Sequence, residues 1–377
     1  MTTAADHLLN LIRIPSVSSS SNREVIEYAR RALCLIGWNT REVMYLDENK
    51  IEKVNLIAAP PQQDVTDHLV DLAFVCHTDT VPFASSWRNA LSPIIKDGLI
   101  YGCGACDVKG FLACLLQAAS SPVRGRWIEG LRIVLTADEE IGCLGAKHLL
   151  ACNALRPKRL VIGEPTSLRV ARAGKGYCLS EIIVYGTEAH SAHPDQGVSA
   201  IYAASRLIRS IEFLAEELAK ETHELFSPSI TSLNIGTIQG GTAKNIIPGE
   251  CRFLIEWRPI PGLPASRIPD ALQAFADELQ TQDHRLKVTI HHLRQQSGFE
   301  TAEDASLVGA LVRLTGRPAT SIPFGSEASL FAPVAEQTVV FGPGDMRTAH
   351  SEREVVSAAE LDEAVAILQR LMAQIIN

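Results

Sequence analysis

The chain of 377 residues has no block of lysines and arginines, and its formal net charge is −8. It therefore lacks the basic footprint that nucleic acid or an anionic membrane surface requires, and neither is expected as a partner. No uninterrupted apolar run approaches the roughly 20 residues of a membrane-spanning helix. The opening stretch MTTAADHLLNLIRIPSVSS lacks the basic start, long apolar core and small-residue cleavage site of a secretory signal. A reducing cytoplasmic location is the expectation. Nine cysteines form no disulfide framework, because the number is odd and most lie in apolar segments. Cys103 and Cys106 make a C-x-x-C, but no second pair follows at zinc-ribbon spacing, so the cysteines read as small reduced core residues. Internal repeats and low-complexity segments are lacking as well.

What remains is an ordinary globular mixture, 46% hydrophobic and 21% charged, at a length that favours two domains. Helical spacing of apolar residues predicts helices over 7–14, 23–37, 111–119, 305–315 and 357–376, with another starting at 146. Short β-rich runs at 55–59, 72–75, 131–137, 159–162 and 338–341 read as strands. Their alternation implies an α/β domain with a mixed, mainly parallel sheet covered by helices. The texture changes after Gly174-Lys175-Gly176. Strand-like runs at 179–185, 229–236, 250–258 and 286–292 enclose helical segments at 199–221 and 269–279. The order β-α-β-β-α-β suggests an inserted ferredoxin-like α+β domain. The expected boundaries are 1–173 and 286–377 for the discontinuous α/β domain and 174–285 for the insert.

Five short motifs carry the chemistry: His77-Thr78-Asp79, Asp107, Glu139-Glu140, Glu164 and His350. Each falls where an apolar, strand-like run ends, and open α/β sheets hold their ligands beyond the carboxyl ends of their strands. A lone His-x-Asp is commonly a surface turn, and a Glu-Glu pair a solvated face. A chance set would scatter over helices too. Imidazole and carboxylate are zinc donors, and two zincs about 3.5–4 Å apart share a bridging carboxylate. His77, Glu164 and a bridging Asp107 can serve one ion; Glu140, His350 and the same Asp107 can serve the other. Three carboxylates against two dications leave one positive charge, which suits the site to hydroxide. Asp79 can accept the second imidazole N–H of His77 and fix its tautomer. Glu139 diverges from Glu140 and can act as general base toward water. Cys143 lacks the partner pattern of a cysteine nucleophile.

The stretches CHTDTVPF (76–83), YGCGACDVKGF (101–111), TADEEIGCLGA (136–146), VIGEPTS (161–167), GTEAHSAHPDQGVSAI (186–201), GGTAKNIIPGECRFLIEWRPIPG (240–262), FGSEASLF (324–331) and FGPGDMRTAH (341–350) resemble those of the M20 family of zinc aminoacylases and peptidases. They keep the family order through most of the chain. The resemblance implies His77, Asp107, Glu140, Glu164 and His350 as ligands of two Zn²⁺, with Co²⁺ a substitute, Glu139 as base and Asp79 as orienter. It makes the insert a lid and homodimerisation domain. His190, with His193 as its local competitor, matches a lid histidine that reaches the partner's site and stabilises an oxyanion. Asn245, Arg258, Gly325 and Ser326 match substrate-contacting positions. Within the family the motifs most resemble those of enzymes that deacetylate acetylornithine or acetylcitrulline, which would give Glu327 a substrate ammonium to pair with. The expected reaction is amide hydrolysis of an N-acyl L-amino acid, first of all N2-acetyl-L-ornithine. Acetylcitrulline, succinyl-diaminopimelate and dipeptides are alternative substrates, and an inactive dimeric binding scaffold is the alternative outside enzymes.

Overall fold

Four strands run parallel at the centre of a large sheet, in the order Leu131–Thr136, Leu69–His77, Arg156–Ile162 and Gln337–Val340. Their near-continuous Val, Ile, Leu and Ala content is what a strand buried on both faces requires. Beyond Leu131–Thr136 the sheet continues with Glu52–Ala59 and then Asn39–Leu46, both antiparallel to their neighbours. Beyond Gln337–Val340 comes Ala171–Gly174, again antiparallel. The sheet is thus mixed as expected, but only its middle is parallel. Asn39–Leu46 escapes sequence patterning because it is a polar, half-exposed edge strand. The computed structural model describes residues 2–121 and 126–373.

Helices Ala4–Arg13, Arg23–Leu35, Lys109–Ala119 and Ala358–Ala373 share one apolar core with this sheet through Leu8, Leu11, Val25, Leu112, Leu115, Leu361 and Leu368. Lys109–Ala119 is buried on nearly every side, as a helix apolar all round must be. Ala4–Arg13 starts three residues earlier than its apolar spacing suggests. Thr3 and Asp6 close a capping box there and satisfy the first free N–H groups. The expected closing helix begins at Ala358, and its positions 374–376 lie outside the described residues.

The chain divides into two compact units. The large one comprises residues 1–173, 300–321 and 326–377, and the small one 174–299 and 322–325. The small unit is a four-stranded antiparallel sheet in the order Ser232–Gly240, Glu250–Arg258, Tyr177–Tyr185, Lys287–Gln296. Helices Ala200–Leu218 and Arg267–Gln282 pack on one face through Leu207, Ile211 and Leu272 against Ile182, Val184, Phe253 and Trp257. This is the ferredoxin-like order. The boundary expected at residue 286 comes one strand too early. Lys287–Gln296 pairs along the whole length of Tyr177–Tyr185 and belongs to the small unit.

Candidate metal centre

Three of the parallel strands deliver functional side chains at one edge. His77 is the last residue of its strand and pairs in register with Thr136. After Thr136 the chain turns through Asp138, whose left-handed φ of 56° directs Glu139 and Glu140. Strand Arg156–Ile162 ends at Gly163-Glu164. Gly163 packs against the Phe111 ring so closely that a Cβ would collide with it. Asp107 and His350 arrive differently. Asp107 lies in the loop between the short strand Leu99–Tyr101 and helix Lys109–Ala119, and His350 in the loop after Gln337–Val340, with φ of 56°.

Asp107 sits between the two histidines. Its Oδ1 is 3.1 Å from His77 Nε2, and its Oδ2 is 3.0 Å from His350 Nε2. His350 Nε2 also lies 3.1 Å from Glu140 Oε1. Among the described residues, His77, Asp107 and Glu140 bring one donor atom each within 4.8 Å of one another. Glu164 is buried at 3% exposure and feels the charges of Asp107, His77, Glu139 and Glu140.

Protonation follows from these contacts. Burial pulls the His77 imidazole down, but Asp107 and Asp79 outweigh it and hold it well above its ordinary value. Hydrogen bonds to Asp107 and Glu140 raise His350 to about 10. Burial pushes Asp107 up, yet His350 and His77 hold it below the usual carboxylate range. Burial raises Glu140 to about 7 against the pull of His350. Glu164 is pushed well up by burial and then by Asp107.

His77 Nδ1 is 3.0 Å from the Asp79 backbone carbonyl and 3.5 Å from the Asp79 carboxylate. A carbonyl only accepts, so Nδ1 carries a proton, and Nε2 is the atom that faces the Asp107 carboxylate. With a second proton on Nε2, as the raised titration of His77 implies, the contact is an ion pair, and a metal ion in that proton's place would take the same two donor atoms. The residues fit a metal.

Asp79 has a second task. Its carboxylate accepts the backbone N–H groups of Glu139 at 3.0 Å and Glu140 at 3.2 Å, and the Ser18 hydroxyl at 2.6 Å. Glu139 is 7% exposed and accepts the Cys143 thiol at 3.2 Å. Glu327 lies in the large unit at 1% exposure, and neither carboxylate oxygen makes a hydrogen bond of ordinary geometry, although Thr136 is a neighbour. Ser326 is buried in the same unit, and its hydroxyl accepts the Ala328 N–H.

The remaining expected residues belong to the small unit. His190 is exposed and pairs with Ile246 in a two-stranded ribbon, and the neighbouring Asn245 carbonyl accepts the Ser191 N–H at 2.9 Å. His190 and Asn245 therefore stand side by side, with His193 at 6.1 Å between ring centroids. Arg258 and Gly325 meet elsewhere, on Tyr177.

Sequence reasoning missed the residues that hold the loops. Lys53, wholly buried, donates from Nζ to Asp138 at 2.7 Å and to the carbonyls of Ser20 at 2.9 Å and Ser18. The Tyr45 hydroxyl donates to Asp138 at 2.7 Å. Glu354 Oε1 accepts the N–H groups of Cys106 and Asp107, each at 3.1 Å. A lysine just before an apolar run signals nothing alone, because its partner lies 85 residues away.

Comparison with known proteins adds a wider frame. The profile described as Peptidase family M20/M25/M40 matches residues 73–374. The chain is 41% identical to an acetylornithine deacetylase of Myxococcus xanthus, covering 97% of this chain and 96% of that one. A crystal structure of a tripeptidase from Staphylococcus aureus superposes with a TM-score of 0.75 at 22% identity, over 98% of this chain and 97% of that one. A Bacillus subtilis protein, described as a dinuclear metal binding peptidase from the M20 family, superposes with a TM-score of 0.68 at 15% identity, over 99% and 98% of the two chains.

Proposed function

The chain belongs to peptidase family M20/M25/M40, and from that premise we propose N2-acetyl-L-ornithine as its substrate, hydrolysed to L-ornithine and acetate. The coarser activity is metal-dependent hydrolysis of the amide of an N-acyl amino acid. The observation that carries the reading is the cluster of His77, Asp107 and Glu140, one donor atom each within 4.8 Å of one another, with Asp107 between His77 and His350.

In this reading His77, Asp107 and Glu164 hold one ion and Asp107, Glu140 and His350 the other. When bound, a pair of Zn²⁺ or Co²⁺ ions supplies Lewis-acid polarisation of the scissile carbonyl and a water acidic enough to lose a proton near neutrality. Glu139 takes that proton and returns it to the leaving amine nitrogen. Asp79 fixes the turn from which Glu139 acts, because both N–H groups of the Glu139-Glu140 pair end on its carboxylate. His190 donates to the developing oxyanion, with Asn245 beside it. Arg258, Gly325 and Ser326 contact the substrate, and Glu327 meets its ammonium.

His190 acts across a homodimer in the same reading. The edge strand Ser232–Gly240 offers unpaired backbone groups and an Ile238 that is 54% exposed. Tyr202, 75% exposed, lies on helix Ala200–Leu218, which also packs on that strand. A cytoplasmic location completes the proposal; among the described residues no helix is long and apolar enough to cross a membrane.

A hydrolysis panel tests the substrate: N2-acetyl-L-ornithine, acetylcitrulline, acetyllysine, succinyl-diaminopimelate and simple dipeptides, with and without added Zn²⁺ or Co²⁺. The highest kcat/KM is expected for acetylornithine. A dipeptide or succinyl substrate leading the panel refutes that choice while keeping the metal chemistry.

A further inference from the structure

Two buried carboxylates outside the proposed ligand set each gather a pair of backbone N–H groups. Asp79 takes those of Glu139 and Glu140. Glu354, 2% exposed, takes those of Cys106 and Asp107, both through Oε1 and both at 3.1 Å. Glu354 lies four residues after His350 in the same loop, and its own N–H donates to the Ser351 carbonyl at 2.9 Å. Asp107 belongs to another loop, 247 residues earlier. One carboxylate oxygen therefore ties the loop of Asp107 to the loop of His350.

The two loops also meet on either side of this contact. Strand Val355–Ser357 pairs antiparallel with Leu99–Tyr101, with Val355 opposite Tyr101. The Cys106 thiol lies 3.7 Å from the Thr348 hydroxyl and 3.8 Å from the Asp345 carbonyl. Gly344 approaches Cys106 so closely that a Cβ would collide with it. What these ties hold in place is the 3.0 Å approach of Asp107 Oδ2 to His350 Nε2. The other proposed ligands need less help. His77 ends a strand of the central sheet and Glu164 stands just past the end of its neighbour, so the ladder between the two strands fixes both. The proposed site of His77, Asp107 and Glu164 thus draws one ligand from a loop. The site of Asp107, Glu140 and His350 draws none from a strand, and two of its three ligands are joined through Glu354.

We infer that Glu354 is a positioning residue for the metal centre: its Oε1 sets the separation of Asp107 and His350, and so the affinity of the site they share with Glu140. This rests on the two-ion reading above and adds to it a residue outside the ligand set. Partners that aim a ligand without binding the metal are worth about 10- to 100-fold in metal affinity.

The test titrates metal-free protein with Zn²⁺ in competition with a fluorescent chelator and reads the two equivalents separately. His350→Ala removes one step and so marks which equivalent belongs to the site of His350. In Glu354→Ala that step weakens about 10- to 100-fold and the other by less than about threefold. Glu354→Gln loses the charge but keeps an Oε1 acceptor for both N–H groups, and stays within about threefold of the wild type at both steps. Glu354→Asp keeps the charge but withdraws the acceptor by one methylene, and weakens the His350 step as alanine does. If Glu354→Ala does not fold, the aspartate and glutamine variants decide the question between them. No weakening in the alanine and aspartate variants, or equal weakening of both steps, overturns the brace. A glutamine variant as weak as the alanine one overturns it too, since charge would then be the cause. A wild type that takes up a single ion overturns the two-ion reading and the brace with it. A wild type that binds both ions yet cleaves nothing in the hydrolysis panel overturns the proposed activity alone.

Discussion

Replacing Glu327 by glutamine probes the electrostatics of the site without changing its shape. Glu327 is 1% exposed, and burial, followed by the charge of Glu139, raises its carboxyl from 4.5 to about 8. Between those values the folded protein keeps the proton and the unfolded chain releases it. Stability therefore falls as pH rises through that window. The loss is about 1.4 kcal/mol per pH unit. At pH 7, about 2.5 units above the unfolded value, it amounts to about 3 kcal/mol. Glutamine does not titrate and escapes the loss. Glu327→Gln is expected to gain less than about 1 kcal/mol at pH 5 and about 3 kcal/mol at pH 7, with the difference levelling off above pH 8. The assay is urea unfolding of chelator-treated protein at several pH values. It is followed by the fluorescence of Trp38 and Trp127, which pack edge to face in the large unit at 5.8 Å. A pH-independent difference between variant and wild type, or a variant that loses ground as pH rises, would refute the reasoning. Added Zn²⁺ should shrink the difference, because nearby dications favour the ionised carboxylate.

Glu139→Ala should bind metal as the wild type does, by elemental analysis, while kcat falls about 10²- to 10⁴-fold; turnover near normal would remove it as the base. Mixed protomers of inactive His190→Ala and inactive Glu139→Ala should regain part of the activity, and no recovery after verified subunit exchange would count against a shared site. Lys53→Met leaves Asp138 and two buried carbonyls without their shared cation, and should cost about 3–5 kcal/mol in a urea titration. A loss below about 1 kcal/mol would show that the Lys53–Asp138 pair does not hold the turn.

The large sheet was legible in the sequence because buried parallel strands read as unbroken apolar runs with their functional residues just past the end, as His77, Glu140 and Glu164 do. The polar edge strand Asn39–Leu46 and the final strand of the small unit were less legible. In an exposed strand such as Lys287–Gln296 the alternation is weak and a bulge breaks it after His292. The five expected ligands were visible as residue types. The expected contact between His77 and the Asp79 carboxylate is present at 3.5 Å, and a closer one to the Asp79 backbone carbonyl at 3.0 Å, which no sequence pattern encodes, accompanies it. Lys53, Tyr45 and Glu354 stayed hidden for the same reason: each acts on a residue far away in the chain, through one hydrogen-bonded atom.

The discontinuity of the large unit also sets an order of events during synthesis. Leu361 and Leu368 of the closing helix fill the same core as Leu8 and Leu112. That core stays open on the ribosome until the C-terminal helix has emerged. Four of the five expected ligands lie by residue 164 and His350 comes 186 residues later, so at about 5–20 residues per second the nascent chain carries four of them for about 10–40 s before the fifth exists. The small unit, almost contiguous in sequence, can fold during that interval. In the proposed reading the ion held with His350 is loaded last, and a chain truncated before residue 350 would carry His77, Asp107, Glu140 and Glu164 without the fifth ligand.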